Sequence, residues 1–78
     1  MILELDCGNS FIKWRVTSLD ARGRVHAEGV AGEPWELVEE LLSLRSVNIS
    51  CCRMVSVRGD EETRSLREII ARSLDVEV

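Results

Sequence analysis

The feature that most constrains the fold is a pair of alternating segments near the N-terminus, residues 2–6 and 11–18, which flank the stretch Cys-Gly-Asn-Ser. Alternation of apolar and polar residues places the two kinds of side chain on opposite faces of a strand. Glycine, asparagine and serine are residues that tight turns recruit. The sequence therefore predicts a β-hairpin at the start of the chain.

The register of this hairpin decides which charges meet. If Asp6 pairs with Phe11, the apolar side chains of both strands share one face. Glu4 then lies opposite Lys13 on the other face, where the two can form a cross-strand ion pair. Such a pair is the ordinary structural explanation for the charges around the turn.

The rest of the chain predicts strands and helices that alternate around one mixed sheet. Residues 47–57 have little alternation, which is typical of a strand parallel to the first and covered on both faces. Asp60 precedes an amphipathic segment and is expected to cap its helix. The order βββαβα(β) makes the fold class α/β. The predicted elements after the hairpin are a turn at 19–24, a strand at 24–30, a helix from Pro34 to about Arg45, a strand at 47–57, a helix from Asp60 with Leu66, Ile69, Ile70 and Leu74 on one face, and the first half of a strand at 75–78.

Three residues that often carry function have plainer explanations. Trp14 and Trp35 fall on the apolar faces of a strand and of the first helix, so we expect both in the core. His26 lies in the middle of a strand with no second metal ligand near it in the sequence. A solvated strand face explains it better than a metal site.

The composition indicates one small domain. The chain has 78 residues, of which 45% are hydrophobic and 31% charged. A domain of this size hides only about 60% of the surface that its unfolded chain exposes. We therefore expect an incomplete domain whose unfinished sheet leaves an exposed edge.

Charge and cysteine content limit the partners. The net charge of −4 and the pI of about 4.9 argue against nucleic-acid binding, because no basic stripe is available for a phosphate backbone. Neither a membrane span nor a signal peptide is apparent. Cys7, Cys51 and Cys52 are an odd number without zinc-site spacing, which favours reduced thiols. We expect a cytoplasmic protein.

The turn itself allows two interpretations. A loop of glycine, asparagine and serine can direct several backbone N–H groups at an anionic oxygen, and Gly8 would let the backbone approach a phosphate closely and adopt positive φ. Asp6 could hold Mg²⁺, directly or through water, and Lys13 could add positive charge near the phosphates. The same residues also suit any tight turn, and composition alone favours that simpler interpretation.

A family resemblance reverses the preference. The opening MILELDCGNSFIKWRV is similar to that of the type III pantothenate kinases, also called the Bvg accessory factor family. Its members begin with an apolar strand that ends in D-x-G-N-[ST]-x-x-K. The segment RMVSVRGDEET, residues 53–63, resembles a second strand end of the family. The first pattern is met here by Asp6, Gly8, Asn9, Ser10 and Lys13.

The resemblance implies a ribonuclease-H-like, actin-like fold made of two duplicated domains, with ATP between them. Residues 1–78 would be the N-terminal part of the first domain and would carry the first phosphate-binding motif. The implied reaction transfers the γ-phosphoryl group of ATP to pantothenate, the first step of coenzyme A biosynthesis. It also implies a homodimer, Mg²⁺, and a monovalent cation, K⁺ or ammonium.

The resemblance assigns no catalytic residue within this chain, because the family's catalytic base and pantothenate pocket come later in its sequences. We therefore expect the 78 residues alone to be inactive. Two other functions stay open: a regulatory or interaction protein without kinase activity, and a bare α/β domain without a ligand.

Overall fold

The computed structural model describes residues 1–18, 24–44 and 48–78. Four strands form one mixed sheet in the order β3-β2-β1-β4, in which β1 is parallel to β4 and antiparallel to β2. The predicted order and the parallel placement of the fourth strand are confirmed. The predicted turn at 19–24, the end of the first helix near Arg45 and the start of the fourth strand at residue 47 fall wholly or partly outside the described residues. The elements are β1 (Ile2–Cys7), β2 (Ile12–Thr17), β3 (Val25–Ala31), α1 (Pro34–Leu42), β4 (Cys51–Ser56) and α2 (Asp60–Leu74).

The hairpin register differs from the predicted one by two residues. Cys7, not Asp6, opens the pairing of β1 with β2, and its partner is Ile12. Glu4 consequently lies opposite Arg15, and Asp6 lies opposite Lys13. A shift of two residues keeps every side chain on its face, so the apolar pattern could not distinguish the two registers.

Both helices cover the same face of the sheet. Alternate residues of the strands point toward the helices, and Leu37, Leu41, Leu66 and Ile70 point back toward them. Burial of these apolar side chains is the main favourable contribution to the folded state. The buried apolar residues are Leu3, Leu5, Cys7, Ile12, Trp14, Val16, Ala31, Leu37, Leu41, Cys52, Leu66 and Ile70.

The opposite face of the sheet is open and carries charges. Arg15 donates to the carboxylate of Glu4 at 3.2 Å on this face. Val55, on the same face of β4, is 69% exposed. The prediction that the fourth strand is covered on both faces was therefore wrong, because both helices pack on one side only.

Trp14 occupies the centre of the covered face. Its indole is buried, and its Nε1 donates to the Glu40 carboxylate of α1 at 2.8 Å. Gly29 of β3 lies directly opposite Trp14, and a Cβ at this position would be 2.8 Å from three atoms of the indole. The ring therefore fills the space that a side chain at position 29 would need, and the predicted core position of Trp14 is confirmed.

Trp35 does not join the core, contrary to the prediction. It is 63% exposed, and Leu42, seven residues later on the same stripe of α1, is 60% exposed. Leu37 and Leu41 form a second stripe that faces the sheet. Residues seven apart return to nearly the same direction on a helix, so α1 presents two apolar stripes and buries one.

The second helix begins one residue earlier than a cap at Asp60 would require. Gly59 is the N-cap residue, Asp60 is the first helical residue, and no side chain caps the helix. Ile69 is partly exposed, although the sequence placed it on the buried face. After α2, Glu77 forms a parallel bridge with Cys51 of β4, as the predicted beginning of a further strand requires.

Candidate phosphate-binding loop

The loop between β1 and β2 comprises residues 8–11. The Gly8 N–H donates to the Phe11 carbonyl at 2.9 Å, which leaves Asn9 and Ser10, both exposed, as the two central residues of the turn. A Cβ at Gly8 would lie 3.3 Å from the same carbonyl. Gly8 does not adopt positive φ. Glycine is therefore suited to this position by close approach of the two strands, not by left-handed backbone.

The structure brings the predicted loop charges to one place. Asp6 and Lys13 are paired across the hairpin and project on the open face of the sheet. Together with Gly8 and Ser10 they line a small depression of about 240 Å³, while Asn9 lies beside it in the turn. Four of the five predicted site residues thus surround one concave surface.

The charges of this depression are not used by the fold. In the observed register Glu4 lies opposite Arg15 and forms an ion pair with it. The predicted ion pair between Glu4 and Lys13 is therefore not formed. Within residues 1–18, 24–44 and 48–78, neither Asp6 nor Lys13 forms an ion pair within 4 Å. Both side chains are exposed and available to a ligand.

Arg58, which the sequence did not single out for this site, forms a hydrogen bond with the backbone of the loop. Arg58 follows β4, and its Nε donates to the Gly8 carbonyl at 2.8 Å. The Val57 N–H donates to the Cys7 carbonyl at 3.1 Å, which continues the parallel pairing of β1 and β4 toward the loop. The parallel placement of β4 was the signal that could have found this contact, because parallel strands end at the same edge of a sheet.

Hydroxyl groups fix the turn that presents Arg58. Ser56 and Thr63 share a hydrogen bond between their hydroxyl oxygens at 2.9 Å. Ser56 Oγ also accepts from the backbone N–H of Arg58, and Thr63 Oγ1 donates to its carbonyl. The backbone of Arg58 is therefore constrained by two hydrogen bonds. Its side chain is only 12% exposed.

Cys7 is the last residue of β1, directly before the loop, and its side chain is buried. Burial raises the pKa of its thiol, which the positive charge of Arg58 partly opposes and the negative charge of Asp6 reinforces. Cys52, which lies opposite Leu3 on β4, is also buried, and burial raises its pKa to about 12, with smaller contributions from the two other thiols. Thiolate chemistry requires a lowered pKa, so both cysteines are packing residues.

A bound metal would have to rely on Asp6. In the described part of the chain, no group of three histidine, cysteine, aspartate or glutamate side chains could hold a metal ion. Mg²⁺ commonly keeps several waters and binds one or two carboxylates together with substrate phosphates. A single exposed carboxylate fits that mode of binding and does not fit an all-protein metal cage.

The start of α2 is less suited to an anion. Its first turn contains three acidic residues, Asp60, Glu61 and Glu62, which already complement the positive end of the helix dipole. The β1–β2 loop instead has two exposed residues, Asn9 and Ser10, and the neighbouring Lys13 has no carboxylate within ion-pair distance in the described part of the chain. The chemistry available here is the binding and orientation of anionic oxygens.

Comparison with known proteins gives one consistent result. The chain is 49% identical over 78 residues to the type III pantothenate kinase of Pseudomonas fluorescens strain Pf0-1. It is 51% identical over 78 residues to that of Ectopseudomonas mendocina strain ymp, and 48% over 79 residues to that of Azotobacter vinelandii strain DJ. In each case all of this chain and 31% of the relative are covered.

These similarities confirm the resemblance to the N-terminal portion of type III pantothenate kinases. The chain spans about a third of the length of the curated relatives it matches. No family model matches the sequence. In the described ranges, no helix is long and apolar enough to cross a membrane.

Proposed function

We propose that this chain is the N-terminal segment of a type III pantothenate kinase, that it forms the first part of an actin-like ATP-binding domain, and that its β1–β2 loop binds the phosphates of ATP. The observation that carries the proposal is the register of the hairpin, which places Asp6 and Lys13 opposite each other on neighbouring strands beside the loop. The 46–51% identity to proteins of that name supports it independently.

Each loop residue has a role that follows from its chemistry. Asn9 and Ser10 are exposed, and their backbone N–H groups, which donate to no backbone carbonyl in the described residues, would donate to phosphate oxygens. Lys13 adds a positive charge at the edge of the depression, and Gly8 keeps the strands close enough for the turn. Phosphoryl transfer depends on this kind of positioning and charge neutralisation, because there is little covalent chemistry for the protein to perform.

Asp6 would hold Mg²⁺ through one carboxylate oxygen or a bridging water, as its exposure and lack of an ion-pair partner allow. The metal supplies charge neutralisation at the phosphates. A monovalent cation, a cytoplasmic location and a homodimer belong to the same proposal, through the resemblance alone.

In this proposal residues 1–78 bind the phosphates of ATP and contribute no catalytic residue. No carboxylate or imidazole of the described residues lies beside the loop with the partner that a general base needs. We therefore expect residues 1–78 alone to leave pantothenate unphosphorylated in the presence of ATP, Mg²⁺ and K⁺. Formation of phosphopantothenate by the purified chain would contradict this division of roles.

The decisive experiment joins this chain to the part of a relative that it does not match. Residues 1–78 replace the matching N-terminal segment of the P. fluorescens kinase, and pantothenate phosphorylation is measured in the chimaera. Asp6→Asn and Lys13→Met should each lower kcat/KM by a factor of roughly 100 or more, the usual cost of removing one charge-stabilising group.

Matched controls separate the loop from general charge effects. Glu68→Gln and Arg67→Met make the same chemical changes on the exposed side of α2 and should leave kcat/KM within about twofold. Equal activity of the Asp6 and Lys13 variants and these controls would remove the phosphate role from the loop. An inactive chimaera that is folded and binds pantothenate would count against the proposal as well.

A further inference from the structure

We propose that Arg58 is a positioning residue for the phosphate loop: its hydrogen bond to the Gly8 carbonyl sets the direction in which the Asn9 N–H points. This inference rests on the proposed function and adds to it a residue outside the D-x-G-N-S-x-x-K pattern.

The first step is the geometry of one peptide unit. The Gly8 carbonyl and the Asn9 N–H belong to the same planar unit, which is trans. In a trans unit the two groups point in opposite directions. Because the carbonyl is turned toward the guanidinium of Arg58 at 2.8 Å, the Asn9 N–H is directed away from β4 and α2.

The loop alone does not fix the orientation of the Gly8–Asn9 peptide unit. The only backbone hydrogen bond recorded within residues 8–11 joins the Gly8 N–H to the Phe11 carbonyl. The Gly8 N–H belongs to the peptide unit between Cys7 and Gly8, so this hydrogen bond does not restrain the rotation of the next unit, between Gly8 and Asn9. Glycine lowers the barrier to such rotation because it has no side chain. Arg58 supplies the missing restraint.

The third step is that Arg58 is itself held in place. Its backbone N–H is bonded to Ser56 and its carbonyl to Thr63. Glu62 lies 3.9 Å from the guanidinium but is 70% exposed, so this ion pair contributes little. The short bond to Gly8 is therefore the specific contact of the side chain.

The guanidinium also places a positive charge behind the loop. Its burial keeps that charge from being fully screened by water. A fixed positive charge on the far side of a turn of N–H donors adds to the attraction for a phosphate. Orientation and charge thus act together on the same ligand.

The test uses the chimaera, with Arg58→Met, Arg58→Lys and Glu62→Gln. A hydrogen bond to a charged group changes an equilibrium by roughly 10- to 100-fold. Arg58→Met should raise the KM for ATP about tenfold and leave the KM for pantothenate within twofold. Arg58→Lys, which keeps a charged donor, should recover part of the loss, and Glu62→Gln should behave as the parent.

Arg67→Met is the matched control, because it makes the same change at an exposed position of α2. A merely structural role of Arg58 would raise both KM values or lower kcat alone, and would overturn the inference. An unchanged KM for ATP in Arg58→Met, with a large loss in Asp6→Asn, would reject the inference while leaving the proposed function in place.

A second measurement uses the 78-residue chain itself and needs no activity. In ¹⁵N-labelled protein, Arg58→Met should shift the Asn9 amide resonance strongly and leave that of Leu66 in the core unchanged, and Arg58→Lys should move it back toward the parent position. Addition of Mg²⁺ and inorganic pyrophosphate should then perturb Asn9 less in Arg58→Met than in the parent. An Asn9 resonance that is identical in all three proteins would overturn the inference.

Discussion

Replacing Gly29 by alanine tests the packing of the sheet most directly. The new Cβ would lie 2.8 Å from Cε2, Cζ2 and Nε1 of Trp14, well inside the 3.4–4 Å of ordinary van der Waals contact. The indole has little room to move, because it is buried and its Nε1 is bonded to Glu40. Either the ring or the β3 backbone must shift.

The expected cost follows from three contributions. Overpacking of a well-filled core costs about 1–3 kcal/mol. Loss of the indole hydrogen bond to Glu40 would add about 1 kcal/mol. The substitution also restricts the unfolded chain, which offsets about 0.4–1 kcal/mol. We therefore expect Gly29→Ala to lower the free energy of unfolding by about 1–4 kcal/mol.

The assay is urea unfolding of the 78-residue chain, followed by circular dichroism. Gly32→Ala is the matched control, because its Cβ would meet only the Glu36 carboxylate at 3.9–4.0 Å. It should be neutral or slightly stabilising. In a double-mutant cycle, Trp14→Leu should remove most of the cost of Gly29→Ala, because it removes the atoms that clash. An equal cost with tryptophan and with leucine at position 14 would refute the explanation.

Three further predictions concern stability. Burial raises the pKa of Cys52 from 9.0 to about 12, so the thiol of the unfolded chain ionises first. Stability is complete below pH 9 and falls between pH 9 and 12, which urea unfolding across this range measures. Cys52→Ala should reduce this fall and leave the part that comes from Cys7, whose pKa burial also raises. Ile70→Ala should cost about 2–5 kcal/mol in the same assay because Ile70 is fully buried, whereas the partly exposed Ile69 should cost far less. Arg15→Gln should cost under about 1 kcal/mol, and the loss should shrink further in high salt, since its ion pair with Glu4 is exposed.

Periodicity predicted the order of elements because each segment carries its own pattern. It could not choose between hairpin registers that differ by two residues, since both keep Leu3 and Leu5 on the apolar face. The observed choice pairs Cys7 with Ile12 and shortens the turn to two residues. That choice determines whether Lys13 faces Glu4 or Asp6.

The exposure of Trp35 could not be predicted from α1 alone. Its stripe and that of Leu37 and Leu41 are both apolar, and only the position of the sheet decides which one is buried. The contact of Arg58 with the loop was missed for a similar reason. The predicted parallel placement of β4 brings Arg58 to the edge of the sheet where the loop lies, but the direction of its side chain depends on packing that the local pattern does not encode.

The contact between Arg58 and Gly8 also determines when the β1–β2 loop reaches its final shape during folding. The hydrogen bond between Arg58 and Gly8 joins residues 50 positions apart. A β-hairpin forms in about 1–10 μs from local contacts, whereas pairing of distant strands must first close a long loop. A nascent chain that has exposed only β1 and β2 therefore has the turn without its final shape. The β1–β2 loop is completed by tertiary structure, after β4 has docked along β1.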